Sequence, residues 1–380
     1  MDNFEFAQSV PEATSLGIKG IKHAKDLWLE MLRRSKKSID VGQFYITSLP
    51  NEAMEPVLKI IKEKALSGIR VRVLVDKNMA ELDYFKEYFD SIKGIELRLI
   101  DLMKVTGSIM HAKYMIIDQA DVFIGSQNFD WRSLTQVHEI GFRIQNEKFA
   151  SLLLKVFETD WRIAKTKKLP AFRKGPRKRS PELSCVYKGE KIMIRPAFSP
   201  AVITPLEFST ELDEVLGLIN NAEKSIMVSV MEYSMTSHYS DLVLTKIDTA
   251  LREASLRGIS VKLLFTDWAS KEPSISYIKS LSLMPNIDVK LSSIPQLKKR
   301  FIPFARVSHC KFMVVDSDLL WIGTTNWEPD YFLASRNMSI VIKGKNTNKK
   351  LRELFTNTWD QGFSRSVDAS KKYIPPRISG

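Results

Sequence analysis

The chain has 380 residues, of which 44% are hydrophobic and 27% are charged, and this composition excludes a disordered tail protein or a fibrous repeat. Lys and Arg number 57 against 44 Asp and Glu, so the net charge is +13 and favours a polyanionic partner, either nucleic acid or an anionic membrane surface. The two cysteines are too few for a disulfide framework or a cysteine-rich metal site. A chain of this length is expected to form two or three domains.

The first residues lack the basic and apolar regions of a signal peptide, and no apolar run reaches the length of about eighteen residues that a membrane span needs. We therefore expect a protein that is not stably inserted in a membrane. It would be cytoplasmic, or exported without a cleaved signal peptide.

The first elements predicted along the chain are an amphipathic helix over residues 22–34 and a strand that ends at residues 44–45. A helix over residues 55–66 follows and stops at Gly68, because glycine readily adopts the left-handed conformation that ends a helix. The β-rich run 69–75 predicts the next strand. Strand, helix, glycine and strand form a βαβ unit, which pairs its strands in parallel and covers the sheet with helices.

The most basic stretch of the chain lies near its middle. Residues 162–179 contain nine Lys or Arg and no acid, and prolines and glycine interrupt them as in a connector. The stretch is either a solvated linker or a contact for the phosphate backbone, and a nuclear address is a third interpretation. The candidate substrate contacts in it are Lys174, Arg177, Lys178 and Arg179.

The elements of the first half recur in the second half. A helix over 244–256 stops at Gly258, and the run 259–265 predicts a strand. We predict two similar α/β domains, 20–165 and 195–362, each with a mixed, mostly parallel sheet flanked by helices. The remaining segments are an N-terminal segment 1–19, a basic connector 166–194 and a C-terminal tail 363–380.

A short motif occurs twice, with the two copies 198 residues apart. The first copy reads His111-x-Lys113-x4-Asp118-x6-Gly125-Ser126-x-Asn128. The second copy reads His309-x-Lys311-x4-Asp316-x6-Gly323-Thr324-x-Asn326. A single histidine is more often structural than catalytic. Two complete copies of the motif at one fixed spacing instead indicate a functional unit.

The residue types in the motif suit phosphoryl chemistry. A neutral imidazole can attack phosphorus or supply a proton. A lysine ammonium and an asparagine amide can hold phosphate oxygens. The candidate catalytic residues are therefore His111, Lys113, Asn128, His309, Lys311 and Asn326, with Asp118, Ser126, Asp316 and Thr324 as supports.

The paired motifs resemble those of the phospholipase D superfamily of phosphodiesterases, and the resemblance extends over residues 20–362. Residues 125–141, 303–314 and 323–332 are similar to the branch that contains the lysosomal 5′-exonucleases, phospholipase D members three and four, and the poxvirus nicking-joining enzyme. The lysosomal relatives have a membrane anchor and disulfides that this sequence does not show, so a lysosomal location is not carried over.

The resemblance implies that both motifs form one active site without a metal or other cofactor. One histidine would become a covalent phosphohistidine, and the other would protonate the leaving oxygen and then activate water. The implied substrate is single-stranded DNA or RNA, cleaved in the manner of a 5′-exonuclease. The alternatives are a phospholipase D or phosphatidyl transferase acting on phospholipid head groups, and an inactive nucleic-acid-binding module. A homodimer is compatible with each of them.

Glu139 follows His111 by 28 residues, where members of the superfamily often carry a carboxylate that is hydrogen-bonded to the nucleophile. The matching residue after His309 is Asn337. Because a carboxylate stabilises a charged imidazole, this spacing favours His111 as nucleophile and His309 as general acid. The alternative is that Glu139 forms an unrelated surface contact.

Aromatic residues closely follow both motif asparagines and could stack on bases. The alternative for each of them is burial in the core. The candidates are Trp131, Trp327, Tyr331 and Phe332.

Overall fold

The computed structural model describes residues 2–79, 87–172, 175–237 and 240–379. The strands of the first half are β1 (Phe4–Ser9), β2 (Lys22–His23), β3 (Ser38–Gln43), β4 (Ile46–Thr47), β5 (Arg70–Asp76), β6 (Ile95–Ile100), β7 (Tyr114–Ile117), β8 (Asp121–Gly125), β9 (Phe129–Asp130) and β10 (Glu139–Gln145). The helices of this half are α1 (Ala24–Arg34), α2 (Glu55–Leu66), α3 (Leu102–Thr106), α4 (Trp131–Thr135) and α5 (Glu147–Thr166).

The second half has the same kinds of elements. Its strands are β11 (Leu183–Tyr187), β12 (Glu190–Ser199), β13 (Ser209–Thr210), β14 (Ser225–Ser229), β15 (Ser260–Thr266), β16 (Ile287–Ser292), β17 (Phe312–Val315), β18 (Leu319–Gly323), β19 (Asn337–Lys343) and β20 (Ser364–Ser366). Its helices are α6 (Glu211–Asn220), α7 (Lys246–Leu256), α8 (Ser274–Ser282), α9 (Pro329–Leu333) and α10 (Lys345–Trp359).

The two large sheets repeat one strand order. The first runs β2-β1-β10-β8-β7-β3-β5-β6, and the second contains the corresponding run β12-β19-β18-β17-β14-β15-β16. The prediction of two similar α/β domains with helices flanking mixed sheets is therefore confirmed.

The expectation that parallel pairing dominates is wrong. The βαβ units do give parallel pairs, β3 with β5 and β14 with β15. The motif strands instead pair antiparallel, β7 with β8 and β17 with β18, because a tight turn of a few residues can only reverse the chain.

The helices that end at glycine form as the sequence predicts. Gly68 has φ +90° and Gly258 has φ +86°, conformations that a residue with a side chain rarely adopts. The helix over 55–66 has the predicted bounds, and it has a proline in its first turn, where no intrahelical N–H partner is lost.

The segment bounds differ from the prediction at three places. β1 lies inside the first sheet and pairs with β10, so residues 4–9 belong to the first domain. β11 and β12 form a hairpin in the second sheet, which removes residues 183–194 from the connector. β20 pairs with β16, so the tail begins inside the second domain. Each of these short strands buries apolar side chains or completes a sheet edge that would otherwise leave backbone groups unpaired.

A shared apolar core joins the two domains. It contains residues of both sheets together with the inner faces of α5 and α10, among them Phe142, Phe157, Met338 and Phe355. Cys185 and Cys310 are buried and unpaired within it. No helix in the described part of the chain combines the length and the apolar character that crossing a membrane requires.

Candidate active site

Each motif lies on a hairpin whose turn begins at the motif aspartate. Asp118 accepts backbone N–H hydrogen bonds of 2.6–2.9 Å from residues 36–38. Asp316 accepts the equivalent bonds of 2.7–3.0 Å from residues 223–225. These carboxylates fasten the hairpins to the neighbouring strands β3 and β14, and they do not line the cleft that holds the histidines.

The two motif lysines are fully buried and turn back toward their own histidines. Lys113 Nζ donates to the carbonyl oxygen of His111 at 2.5 Å, and Lys311 Nζ donates to that of His309 at 2.8 Å. Burial lowers the pKa of Lys311 to about 7, and burial with repulsion from Lys311 lowers the pKa of Lys113 well below its usual value. A bound phosphate anion would stabilise both ammonium groups.

The motif asparagines are buried and have spare hydrogen-bonding capacity. Among the described residues, neither amide atom of Asn326 has a hydrogen-bond partner. Asn128 donates to the hydroxyl of Tyr45 at 3.3 Å, and its Oδ1 has no partner in the described part of the chain. Because buried amide groups are costly to leave unpaired, both side chains are suited to a polar ligand.

One cleft of about 410 Å³ contains both motif histidines and both asparagines. Its walls come from the two domains, so the site is complete only when they are docked. Between the polar groups the lining is largely apolar and aromatic, with Phe44, Met231, Trp268, Phe304, Val307 and Tyr331.

The group behind each histidine comes from the opposite domain. His309 Nδ1 lies 3.0 Å from Glu139 Oε1, and His111 Nδ1 lies 2.9 Å from Asn337 Oδ1. The prediction that Glu139 is hydrogen-bonded to His111 is therefore wrong. The assignment of His111 as nucleophile depended on that hydrogen bond and is therefore no longer supported.

Backbone contacts across the interface explain the exchange. The N–H of His309 donates to the carbonyl of His138 at 2.7 Å, and the N–H of His111 donates to that of Arg336 at 2.9 Å. His309 thus lies beside His138, the residue before Glu139. His111 lies beside Arg336, the residue before Asn337. A spacing of 28 residues along one chain segment cannot reveal this arrangement.

Hydrogen bonds fix the tautomer of both histidines. Asn337 donates from Nδ2 to the carbonyl of Tyr331 at 3.0 Å, so its Oδ1 faces His111 and accepts from Nδ1. Glu139 Oε1 accepts from Ser133 Oγ at 3.1 Å as well as from His309 Nδ1. In both rings Nε2 is therefore the reactive nitrogen.

Burial decides the charge of these groups. It lowers the pKa of His111 and His309 well below the ordinary value, and the two lysines lower both further by repulsion. Burial also raises the pKa of Glu139 to about 8. The imidazoles are thus neutral near pH 7 and can act as nucleophiles without first losing a proton.

The hydroxyl residues of the motifs are supports. Thr324 Oγ1 donates to Asn337 Oδ1 at 2.9 Å and accepts from the N–H of Met338 at 3.2 Å. Ser126 Oγ and Ile140 exchange two bonds of 3.2 Å. Both hydroxyls tie the strand that carries the motif to the strand that carries Glu139 or Asn337.

The structure separates the four candidate stacking residues. Tyr331 lines the cleft, and its ring meets that of His111 edge to face at a centroid distance of 4.8 Å. The prediction is wrong for Trp131, Trp327 and Phe332, which are buried in the domain cores at 7%, 1% and 3% exposure. Their side chains fill the space beneath the motif loops.

The described residues of the basic connector do not line the cleft. The guanidinium of Arg177 donates to the backbone carbonyls of Ala201, Thr204, Pro205 and Phe208, which makes it a structural clamp and corrects its proposed role in substrate binding. Lys178 and Arg179 line a separate concavity, and Arg179 lies 3.6 Å from Glu214. Lys174 lies outside the described residues.

Sequence reasoning missed a polar cluster on one wall of the cleft. Asp130 accepts from the Tyr45 hydroxyl at 2.8 Å and from Arg132 Nε at 2.9 Å. All three residues line the cleft, beside Asn128. The available signal was the position of Asp130, two residues after the motif asparagine.

A buried ion pair beside the site was also missed. Arg336 Nη2 lies 2.8 Å from Asp160 Oδ1, and both side chains are fully buried. The pair joins Asp160 on α5 of the first domain to Arg336 of the second domain. The carbonyl of Arg336 accepts the hydrogen bond from the N–H of His111. It therefore holds the two halves of the site together.

The chain is similar to known proteins over most of its length. A family profile described as "Cardiolipin synthase, PLD-like domain" matches residues 28–161 and 215–359. The 5′-3′ exonuclease PLD3 of Rattus norvegicus is 30% identical over 373 residues, which cover 90% of this chain and 76% of that protein. Phospholipase D Z of Dictyostelium discoideum is 28% identical over 386 residues, covering 96% and 91%.

A solved structure shows the same fold at low identity. The phosphatidylserine synthase of Haemophilus influenzae Rd KW20 superposes with a TM-score of 0.63 at 11% identity, covering 90% of this chain and 85% of that one. At this identity the likeness concerns the fold alone.

Proposed function

Because the chain belongs to the family of phospholipase D-like proteins, we propose that it is a metal-independent phosphodiesterase that cleaves single-stranded nucleic acid from a 5′ end. The observation that carries the chemistry is the meeting of the histidines and asparagines of both motifs in one cleft between the domains. The choice of nucleic acid is supported by relatives named 5′-3′ exonucleases, which match most of the chain.

In the proposed reaction, Lys113, Lys311, Asn128 and Asn326 hold the oxygens of the scissile phosphate. The lysines supply the positive charge that a phosphoryl centre needs as charge develops on it. This is the reason for proposing a reaction without a metal ion.

His309 is the nucleophile in this mechanism. Its Nε2 attacks phosphorus and forms a P–N bond while the bond from phosphorus to the leaving oxygen breaks. The imidazole becomes cationic when it is phosphorylated, and the Glu139 carboxylate at Nδ1 stabilises that charge.

His111 is the general acid and then the general base. The phosphodiester anion bound beside His111 favours a proton on its Nε2. The imidazole donates that proton to the leaving oxygen, and it afterwards takes a proton from the water that attacks phosphorus and breaks the P–N bond. Asn337 orients its ring without adding a charge. Each cycle returns both histidines to their starting state.

The second candidate is a phospholipase D or phosphatidyl transferase, since a phospholipid contains the same diester. It is supported by the Dictyostelium relative named phospholipase D Z. The apolar lining of the cleft accommodates either class of substrate.

Incubation of the pure protein with EDTA and end-labelled single-stranded oligonucleotides, and separately with phosphatidylcholine vesicles, tests the proposal. We expect stepwise shortening of the oligonucleotide from its 5′ end despite EDTA. The double variant His111→Ala/His309→Ala controls for contaminating nucleases. Release of choline without oligonucleotide cleavage would overturn the proposal.

A further inference from the structure

A loop of the second domain forms one wall of the cleft while packing on the first domain. We call Pro295–Val307 the rim loop. Its residues Ile302, Ala305 and Val307 are buried in the core of the first domain. The N–H of Arg306 donates to the carbonyl of Gln136 at 3.0 Å. The rim loop is therefore fixed to both domains at the edge of the active site.

Phe304 is the unusual residue of the rim loop. Its side chain is 53% exposed and lines the cleft, and its φ is +55°, a region that bulky residues rarely occupy. The backbone is held there by the bond from its N–H to the carbonyl of Ile378 at 2.9 Å. Neither the exposure nor the left-handed backbone contributes to packing, and backbone strain of this kind is concentrated at functional sites.

A basic turn leads to this aromatic residue. Leu297 and Arg300 form a bridge that places Lys298 and Lys299 at an exposed turn. Within the described ranges neither lysine forms an ion pair, whereas Arg300 lies 3.9 Å from Glu52. Lys299 precedes Phe304 by five residues, so their Cα atoms lie at most about 18 Å apart.

A cation lies beside the aromatic surface as well. The guanidinium of Arg132 is 5.9 Å from the centre of the Phe304 ring, and it donates to the carbonyl of Pro303 at 3.2 Å. An exposed ring with lysines nearby along the chain is a combination by which proteins bind single strands, because bases stack on the ring and phosphates pair with the ammonium groups.

We propose that the rim loop binds the single strand where it leaves the cleft, with one base stacked on Phe304 and the adjoining backbone phosphates at Lys298 and Lys299. This inference rests on the proposed function, because it names the surface that holds that substrate. It also moves the electrostatic contact from the basic connector to the rim loop. The connector's Arg177 is committed to backbone carbonyls, whereas both rim lysines are exposed.

Binding of a fluorescent oligothymidylate to the cleavage-deficient His309→Ala protein, measured at several salt concentrations, tests the inference. On that background Phe304→Ala should weaken binding about 5- to 150-fold, the range expected for one stacked base. Lys298→Gln/Lys299→Gln should lower the slope of log affinity against log salt by about 1.4, or about 0.7 for each lost single-strand contact. The matched control, Lys178→Gln/Arg179→Gln, removes the same charge from the connector and should leave the slope unchanged.

A substitution at the same residue separates binding from folding. Phe304→Gly relieves the left-handed backbone, so the melting temperature should not fall, while binding weakens as it does for Phe304→Ala. Phe304→Trp should retain binding because it keeps a stacking surface.

Several outcomes contradict the inference. If the oligonucleotide binds and is cleaved by the unmodified protein, but affinity and salt slope are unchanged in the rim variants, the rim loop is not the binding surface and the proposed function stands. The rim loop is likewise not the binding surface if the slope of log affinity against log salt falls in the connector control instead. If the rim variants lose binding only to vesicles of anionic phospholipid, the surface faces a membrane. If the unmodified protein neither binds nor cleaves oligonucleotides, the proposed function has failed.

Discussion

The two halves of the molecule repeat one strand order, yet only one of the two groups behind their histidines can ionise. Glu139 of the first half lies behind His309, and Asn337 of the second half lies behind His111. A carboxylate stabilises a cationic imidazole, whereas an amide only orients it. The repeat therefore supplies two similar histidines, and one Glu-to-Asn difference gives them unequal roles.

The residues just before these two groups differ as well. Arg336 forms a buried ion pair with Asp160, while the corresponding His138 lies near Ser308 and Cys310 and has no charged partner among the described residues. Burial lowers the pKa of His138 to about 4, so it stays neutral. The interface is thus held by an ion pair beside His111 and by neutral contacts beside His309.

Removal of each histidine should give the largest effect. His111→Ala and His309→Ala should each lower oligonucleotide turnover by about 10²–10⁴-fold or more. A substrate with a p-nitrophenol leaving group separates the roles, because the phenolate departs without protonation. His111→Ala should then still release about one nitrophenolate per active site, and His309→Ala should release none.

The protein quenched from the His111→Ala reaction should carry acid-labile phosphate on His309. A burst and a label on His111 in the His309→Ala protein would reverse the roles. It would also show that the carboxylate does not mark the nucleophile.

The ion pair that distinguishes the interface should dominate its stability. Asp160→Asn leaves the guanidinium of Arg336 buried without its anion and should lower the free energy of unfolding by about 3–5 kcal/mol. Urea titration measures the change. Glu353→Gln, which breaks the exposed pair with Lys350, is the control and should cost about 0–1 kcal/mol. Equal effects of the two substitutions would show that the buried pair does not hold the domains together.

Exchange of the two groups behind the histidines tests the comparison directly. Glu139→Gln should lower kcat about 10–100-fold with little change in KM, since the amide still orients His309 but cannot stabilise its cationic form. Asn337→Asp alone should have a smaller effect. In the double variant Glu139→Gln/Asn337→Asp the carboxylate lies behind His111, and part of the phosphate label should move to that residue. A label that stays wholly on His309 would mean that other features select the nucleophile.

A change of pH should give the smallest effect. The value of kcat/KM should change about tenfold for each pH unit beyond the pKa of the group that titrates. Lys311 must be protonated to hold phosphate, and its pKa is lowered to about 7 by burial, so kcat/KM should fall as the pH rises through about 7. The nucleophile acts with Glu139 ionised behind it, and burial raises the pKa of that carboxyl to about 8, so kcat/KM should also fall as the pH drops below about 8. Lys311→Arg keeps its charge at every pH and should move the upper limb to higher pH. An upper limb that stays near pH 7 in this variant would assign it to another group.

The amino-acid sequence determined the parts of this protein that depend on local order along the chain. Helix ends at Gly68 and Gly258 follow from backbone conformation, and the repeat of spacing from His111 to Asn128 and from His309 to Asn326 follows from direct comparison. The same information gave the α/β class, the two-domain organisation and the paired histidines and asparagines of the site. Short patterns of this kind are set by neighbouring residues, and each copy can be read independently.

The tertiary structure alone decided which groups meet. Glu139 is nearer to His111 than to His309 in sequence, but its carboxylate lies 3.0 Å from the His309 ring because a backbone bridge between His138 and Ser308 joins the two domains there. The described residues of the basic connector do not line the cleft, while Phe304 of the rim loop does. Contacts between residues about 170 positions apart in the chain depend on how the apolar faces of the two domains pack together. The spacing of residues within one domain does not determine that packing.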